Sequence, residues 1–207
     1  FSIAASNHLS RYDIGLTLSA DRDVQVVGNV VRVAGSTDND QVQLSVDSEI
    51  RLLVNGQQHS FRRDTPWRFE LFGGGGQDTF TFHGSTGDDV ATLRSGQFDA
   101  TGTGYEVIAH DYQSIVATAG DGGQDVARLY DSSGNDELTC APEACTLTGQ
   151  GFANRAAGFD QVYVHASQGM DDVARFFGST GNDEFIGRPD YSSMRGEGFY
   201  HKAAGFD

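Results

Sequence analysis

Proline, cysteine and tryptophan are all scarce in this chain, at 3, 2 and 1 of its 207 residues. Long apolar runs are missing altogether, so no segment is expected to cross a bilayer as a helix. Runs of Ala, Leu, Glu and Lys that would propagate a helix are also lacking; the apolar residues are mostly β-branched or aromatic. Basic residues are few, 14 against 29 acidic ones, for a net charge of −15. Such a surface repels phosphate backbones and anionic lipid, which excludes nucleic acid as a partner and membrane insertion as a mode of action. It suits cations. The chain opens on Phe1 with no initiator methionine and no signal peptide, and is expected to be a processed or truncated piece.

The two cysteines fall in one short stretch, "CAPEAC". A proline-containing turn brings Cys140 and Cys145 within bridging reach, and a disulfide is expected. It implies an oxidising, extracellular compartment. Zinc is not expected, since there is no second cysteine pair and no histidine nearby in sequence.

Glycine, by contrast, is abundant at 27 residues, and it recurs in a fixed arrangement. "GSTGDD", "DSSGND" and "GSTGND" close on Asp89, Asp136 and Asp183, 47 residues apart each time. A second series, Asp78, Asp125 and Asp172, precedes the first by 11 residues, so the aspartate spacing alternates between 11 and 36. The segments "LTGQGFANRAAGFD" and "MRGEGFYHKAAGFD" repeat with the same offset of 47. Three tandem copies follow, 73–119, 120–166 and an incomplete 167–207, behind a divergent β region at 1–72. That region keeps a faded turn, "GSTDND", ending on Asp40, and a tight-turn signal at Asn55-Gly56. "SIAAS" at the N-terminus matches "SIVAT" of a later copy, which places a strand near the first residue and Asp13 opposite Asp125.

After each acidic turn the sequence alternates apolar and polar residues, as in "DTFTF" and "DVARLY", the period of a strand. One such copy has too little apolar surface to fold alone, but stacked copies bury one another. The predicted fold is all-β: a right-handed parallel β-solenoid, or β-helix, of stacked 47-residue repeats, each of about four short strands and two coils. The alternative is a propeller with one four-stranded blade per copy, for which three or four copies are few to close a ring.

The turns resemble the hemolysin-type (RTX) calcium-binding repeat, G-G-x-G-x-D-x-U-x, with "GGGGQDTFT" fitting throughout and "GDGGQDVAR", "GSTGDDVAT" and "GSTGNDEFI" in part. The resemblance implies Ca²⁺ held by turn carbonyls and by the carboxylates of Asp40, Asp78, Asp89, Asp125, Asp136, Asp172 and Asp183. In that family the nonapeptides follow one another directly, whereas here they are interrupted. The competing reading is that these aspartates bond to amides of the turns while glycine supplies positive φ. The longer unit is similar to the tandem arrays of large secreted bacterial surface proteins. That likeness implies an extracellular, cell-surface scaffold, paired end to end with copies of itself or neighbouring repeats.

No catalytic constellation is expected. The six histidines do not recur at 47 residues, and Ser132 and Ser179 belong to repeated turns. An active site is normally unique, whereas the acidic residues come in copies. An adhesin that stacks sugars on Tyr130, Tyr163 or Phe176 is the second reading, and a polysaccharide-processing enzyme the third. The last copy stops at "AAGFD", where the copy before runs on into a strand. The chain is therefore read as a slice of a longer array or as the subunit of a head-to-tail fibre.

Overall fold

A computed structural model describes residues 24–169 and 171–207. The expected strand at Ser2–Ser6 and the alignment of Asp13 lie outside the described residues. The chain runs as β1 (Val24–Val27), β2 (Val30–Ala34), β3 (Gln41–Val46), β4 (Glu49–Val54), β5 (Gln57–Arg62), β6 (Trp67–Phe72) and β7 (Thr79–His83). It continues as β8 (Val90–Arg94), β9 (Gly96–Gly102), β10 (Tyr105–Tyr112), β11 (Ser114–Thr118), β12 (Val126–Tyr130) and β13 (Glu137–Ala141). The last strands are β14 (Ala144–Gly149), β15 (Phe152–Ala157), β16 (Gln161–His165), β17 (Val173–Phe176), β18 (Glu184–Gly187), β19 (Tyr191–Gly196) and β20 (Phe199–Ala204).

These strands form two facing sheets, so the fold is an all-β solenoid. The 11-stranded sheet is ordered β1-β2-β6-β10-β9-β8-β12-β16-β20-β19-β18, and the 9-stranded sheet β17-β13-β14-β15-β11-β7-β3-β4-β5. Strands of successive copies are hydrogen-bonded into continuous sheets, which sets aside separate propeller blades. Pairings between coils are parallel, as in β7–β11–β15 and β8–β12–β16–β20. Within a copy, three consecutive strands fold back on one another as an antiparallel meander: β3–β5, β8–β10, β13–β15 and β18–β20.

This corrects the expected four strands and two coils. A copy such as β8–β12 has five strands and crosses the stack three times: the meander in one sheet, a single strand in the other, and a single strand back in the first. Three crossings make one and a half coils. Because the number is odd, the next meander starts in the opposite sheet. The four meanders alternate between the 9- and 11-stranded sheets, and neighbouring copies are related by a half-turn about the stack axis.

The core lies between the sheets, where every second side chain points. One row across the 9-stranded sheet is Leu52, Leu44, Phe82, Ala117, Ala156, Cys145, Cys140 and Phe176, in register. Phe80, Phe82 and Phe98 are fully buried and their rings pack at 5.1 Å, Phe98 reaching across from the other sheet. Burying one such ring stabilises by about 1.5–3 kcal/mol. Asn55 (φ 48°) and Gly56 (φ 85°) turn β4 into β5, a conformation that suits Asn-Gly because both central residues need positive φ.

Candidate functional site

The turns that join the sheets carry the repeated aspartates, and their geometry is the same in four places. In the turn from Ser36 to Asp40 the Ser36 amide donates to Asp40 Oδ2 at 2.7 Å and its hydroxyl to the same oxygen at 3.1 Å. Ser85 donates its amide to Asp89 Oδ2 at 2.5 Å and its hydroxyl to Oδ1 at 2.9 Å, and the amides of Ser132 and Ser179 reach Asp136 and Asp183, each at 2.7 Å, with their hydroxyls on the same carboxylates. The serine hydroxyl also accepts the amide two residues on, at Asp38, Gly87, Gly134 and Gly181. A serine four residues before an aspartate thus closes the turn on its own polar groups. Ser132 and Ser179 are turn-closing residues in this geometry.

The second series of aspartates binds the first. The Asp40 amide donates to Asp78 Oδ1 at 2.7 Å, Asp89 to Asp125 at 2.9 Å, and Asp136 to Asp172 at 2.8 Å. The next layer continues each ladder. Asp78 N–H donates to Gln113 Oε1 (2.6 Å), Asp125 N–H to Asp160 Oδ2 (2.8 Å) and Asp172 N–H to Asp207 Oδ2 (3.3 Å). The partners lie 35 to 38 residues apart in sequence. The pair 11 apart, Asp78 and Asp89, sits at opposite ends of β7 and so at opposite edges of the sandwich.

Gln113, Asp160 and Asp207 were not among the expected site residues. The signal that finds them is an alignment at an offset of 35 or 36, one coil, in place of 47, one copy. Asn55 and Tyr105 were missed as well. Asn55 Nδ2 donates to Asp40 Oδ1 at 2.5 Å, and the Tyr105 hydroxyl donates to Asp89 Oδ1 at 2.6 Å. Phe152 and Phe199 stand where Tyr105 does in later copies. There the backbone comes close: a Cβ at Gly149 or Gly196 would collide with the carboxylate of Asp136 or Asp183 and with the adjacent phenyl ring.

Asp40, Asp78, Asp89, Asp125, Asp136 and Asp172 are all buried, and Asp183 is half-buried. Burial, with the negative charges of Asp89, Asp160 and Asp88, pushes the Asp125 carboxyl up to about 6, although the Asp89 amide favours its charged form. Asp172 is raised by the same combination, burial first and then Asp136, Asp131 and Asp207. At Asp40 burial acts upward, but the Asn55 and Ser36 donors together outweigh it and the carboxyl is lowered. Four buried polar atoms have no hydrogen-bond partner among the described residues: Asp78 Oδ2, Tyr112 Oη, Asn154 Oδ1 and His59 Nε2.

A calcium shell needs six to eight oxygens. Most of the carboxylate oxygens here face N–H and O–H donors instead, which is the wrong chemistry for a cation beside them. The Oδ2 atoms of Asp78, Asp125 and Asp172 face no such donor, and of these the Asp78 oxygen is fully buried. The corners as hydrogen-bonded therefore fit amide donors better than a metal, with one buried oxygen left over at Asp78.

Cys140 and Cys145 are directly opposed on β13 and β14, with Cα atoms 4.1 Å apart, and form the expected disulfide. Their sulfurs and a ring nitrogen of His201 lie within 4.8 Å of one another, all buried. Both sulfurs are bonded to each other, so neither is a thiolate ligand, and no other group of three or more His, Cys, Asp or Glu side chains converges in this way among the described residues. Burial alone holds the His201 imidazole down to about 4, so it is neutral at pH 7.

The candidate sugar-stacking rings pack on their neighbours. Tyr130 stacks on His165 at 5.3 Å with the Arg94 guanidinium 4.7 Å from its centre; Tyr163 meets Tyr200 and Phe176 meets Phe185, each at 5.9 Å. No helix among the described residues is long and apolar enough to cross a membrane. The chain matches no family model, no curated protein and no solved structure.

Proposed function

We propose that this chain is a structural module: a stretch of elongated β-solenoid that works outside the cell, joined end to end with copies of itself or neighbouring repeats in a surface assembly. One observation carries the reading. The polar groups repeated most faithfully are bonded along the stack axis, turn to turn, as in Asp89 to Asp125 to Asp160. Groups with that task hold layers together and are not aimed at a substrate. The buried disulfide supports an oxidising compartment. Packing of Tyr130 and Tyr163 against neighbouring layers favours a scaffold over a glycan-stacking face, since the rings are engaged side by side. Catalysis has the least support, the described histidines His59, His83, His110, His165 and His201 lying on five separate strands.

Immunogold labelling of the cells that make the protein tests the reading. Label on rods or fibres at the outer surface is expected; label confined to the interior of intact cells overturns it.

Calcium at the corners, the property that the RTX-like turns imply, is a second reading. It is supported by the buried, unpartnered Asp78 Oδ2 and by the crowding of Asp89, Asp125 and Asp160, whose repulsion a cation would relieve. Titration calorimetry with Ca²⁺ tests it, with binding expected for the wild type and lost in Asp78→Asn.

A further inference from the structure

Cys140, Cys145 and His201 are departures from the repeat. At the offset of 47, the cysteines stand where Leu93 and Phe98 do one copy earlier and Gly187 and Ser192 one copy later. His201 stands where Asn154 and Val107 do. None of the three recurs, yet the fold gathers them at one buried place, with 1%, 0% and 2% exposure. No histidine is near the cysteines in sequence, and the facing sheet supplies one. The cysteines lie on β13 and β14 of the 9-stranded sheet, and His201 on β20 of the 11-stranded sheet.

The approach across the core belongs to the fold. One copy earlier, Asn154 Nδ2 donates to the carbonyl of Arg94 at 2.9 Å, where β8 turns into β9. The β13–β14 hairpin that carries the cysteines is the next version of that hairpin. His201 thus takes a position that reaches the opposite hairpin. Its imidazole nevertheless makes no hydrogen bond to any described residue, and packs only on the Phe199 ring at 5.0 Å. A buried ring nitrogen without a partner is costly unless something else takes its lone pair.

The two sulfurs and a ring nitrogen all lie within 4.8 Å of one another. Ligands about 2.0–2.3 Å from a zinc ion are about 3.5–4 Å apart in a tetrahedron. Once the sulfur–sulfur bond is open, rotation of the cysteine side chains brings the three atoms to that spacing. Two thiolates and a neutral imidazole around a divalent cation make a centre with no net charge, which a covered apolar place tolerates. The neighbours are apolar: Ala156 lies beside Cys145 in the ladder, and Phe176 beside Cys140. Three protein ligands leave the fourth position of the ion to a small exogenous ligand, as in other zinc sites with two cysteines and one histidine.

We infer that Cys140, Cys145 and His201 form a Zn²⁺ site in the dithiol form of the chain, and that the disulfide closes it. A dithiol reductant delivers two electrons and two protons to the disulfide and leaves as its own disulfide. Zn²⁺ then takes both sulfurs as thiolates, and their two protons pass to solvent. The disulfide ties β13 to β14 within one hairpin. The metal ties that hairpin to β20 across the core, so it clamps the two sheets together where the disulfide does not. The inference is independent of where the stack is used.

The test uses the whole chain, reduced by a phosphine in denaturant and refolded without oxygen, with or without zinc chloride. The dithiol form is expected to take Zn²⁺ from a chromophoric chelator at a one-to-one ratio, releasing about two protons at pH 7. Co²⁺ in place of zinc should give sulfur-to-cobalt charge-transfer absorption. The disulfide form should take up neither ion. His201→Asn installs the residue that the preceding copy carries there, so the variant should still form the disulfide when oxidised. When reduced, it should bind zinc about tenfold more weakly or worse, since even changes outside the ligand shell cost that much. Undiminished zinc affinity in His201→Asn overturns the inference, because the thiols alone would then be the site. So does a refolded dithiol chain that takes up no zinc, or a dithiol chain that fails to refold even with zinc present.

Discussion

The backbone amide of Asp89 donates to the carboxylate of Asp125, 2.9 Å away and 36 residues later in the chain. Both residues are buried, and Asp125 passes the arrangement on by donating its own amide to Asp160. The bond joins consecutive layers at one edge of the sandwich. It also brings carboxylates close together in a poorly hydrated place, which is why Asp125 is hard to ionise.

That difficulty has a direction in pH. The folded-state carboxyl of Asp125 is raised to about 6, above its ordinary value near 3.8, so the folded chain binds the proton more tightly than the unfolded one. The associated stabilisation is full below about pH 4 and is lost as pH rises through about 6. Asp125→Asn keeps an oxygen for the Asp89 amide and removes the charge. Its melting temperature should exceed the wild type by roughly 5 °C at pH 7, corresponding to about 2 kcal/mol, and the difference should vanish near pH 4. Paired thermal melts across this range check the prediction.

Asp136 and Asp183 close identical turns in different surroundings. Asp136→Ala strands the amide of Ser132 in a covered turn and is expected to cost about 3 kcal/mol in urea denaturation. Asp183→Ala frees the Ser179 amide where water can reach it, and should cost about 1 kcal/mol or less. Equal losses would mean that layer stacking contributes nothing to the corner.

Gly149→Ala places a methyl group against Asp136 Oδ1 and the Phe152 ring. Overpacking of this kind costs about 1–3 kcal/mol. Gly104→Ala meets no atom within 4 Å but sits at φ +82°, so its smaller penalty is conformational. Chemical denaturation of the two variants separates steric from backbone strain.

The disulfide is fully covered, with Cys140 1% and Cys145 0% exposed. A thiol reductant should therefore act slowly on the native protein and rapidly once it is unfolded. Removal of the link as a Cys140→Ala, Cys145→Ala pair should cost about 2 kcal/mol, since the loop it closes is short. Mass spectrometry of reduction in and out of denaturant reads the first claim, and a melting curve the second.

On the calcium reading, millimolar Ca²⁺ raises the melting temperature, with about 2.7 kcal/mol of stabilisation per site at a hundredfold excess over its dissociation constant. EDTA reverses the rise, and Asp78→Asn abolishes it. An unchanged melt would leave the corners held by hydrogen bonds alone.

Much of this molecule was legible in its residues. Alternating runs such as "DTFTF" became β7 with Phe80 and Phe82 inside, because a period of two puts one set of side chains on one face. Asn55-Gly56 became a hairpin turn, and Cys140 met Cys145 across another. The partner of each aspartate was not legible. Asp78 and Asp89 stand close in sequence but at opposite edges of the stack, since a five-residue strand between two turns carries the chain from one edge to the other. The serine of each corner was visible as a repeat, but its role was not, because a hydroxyl's partner depends on how the turn closes.

The residues by themselves determined that there would be strands, where they turn, and that copies 47 residues long would stack. They did so because strand period, glycine φ and hairpin chemistry are local properties. Only the tertiary structure decided that a copy makes one and a half coils, that its successor lies on the opposite sheet, and that the aspartates bond at a spacing of one coil. Those outcomes depend on how many times the chain crosses between sheets, and that count is set by three-stranded meanders whose pairing is a contact between strands and not a property of any one of them.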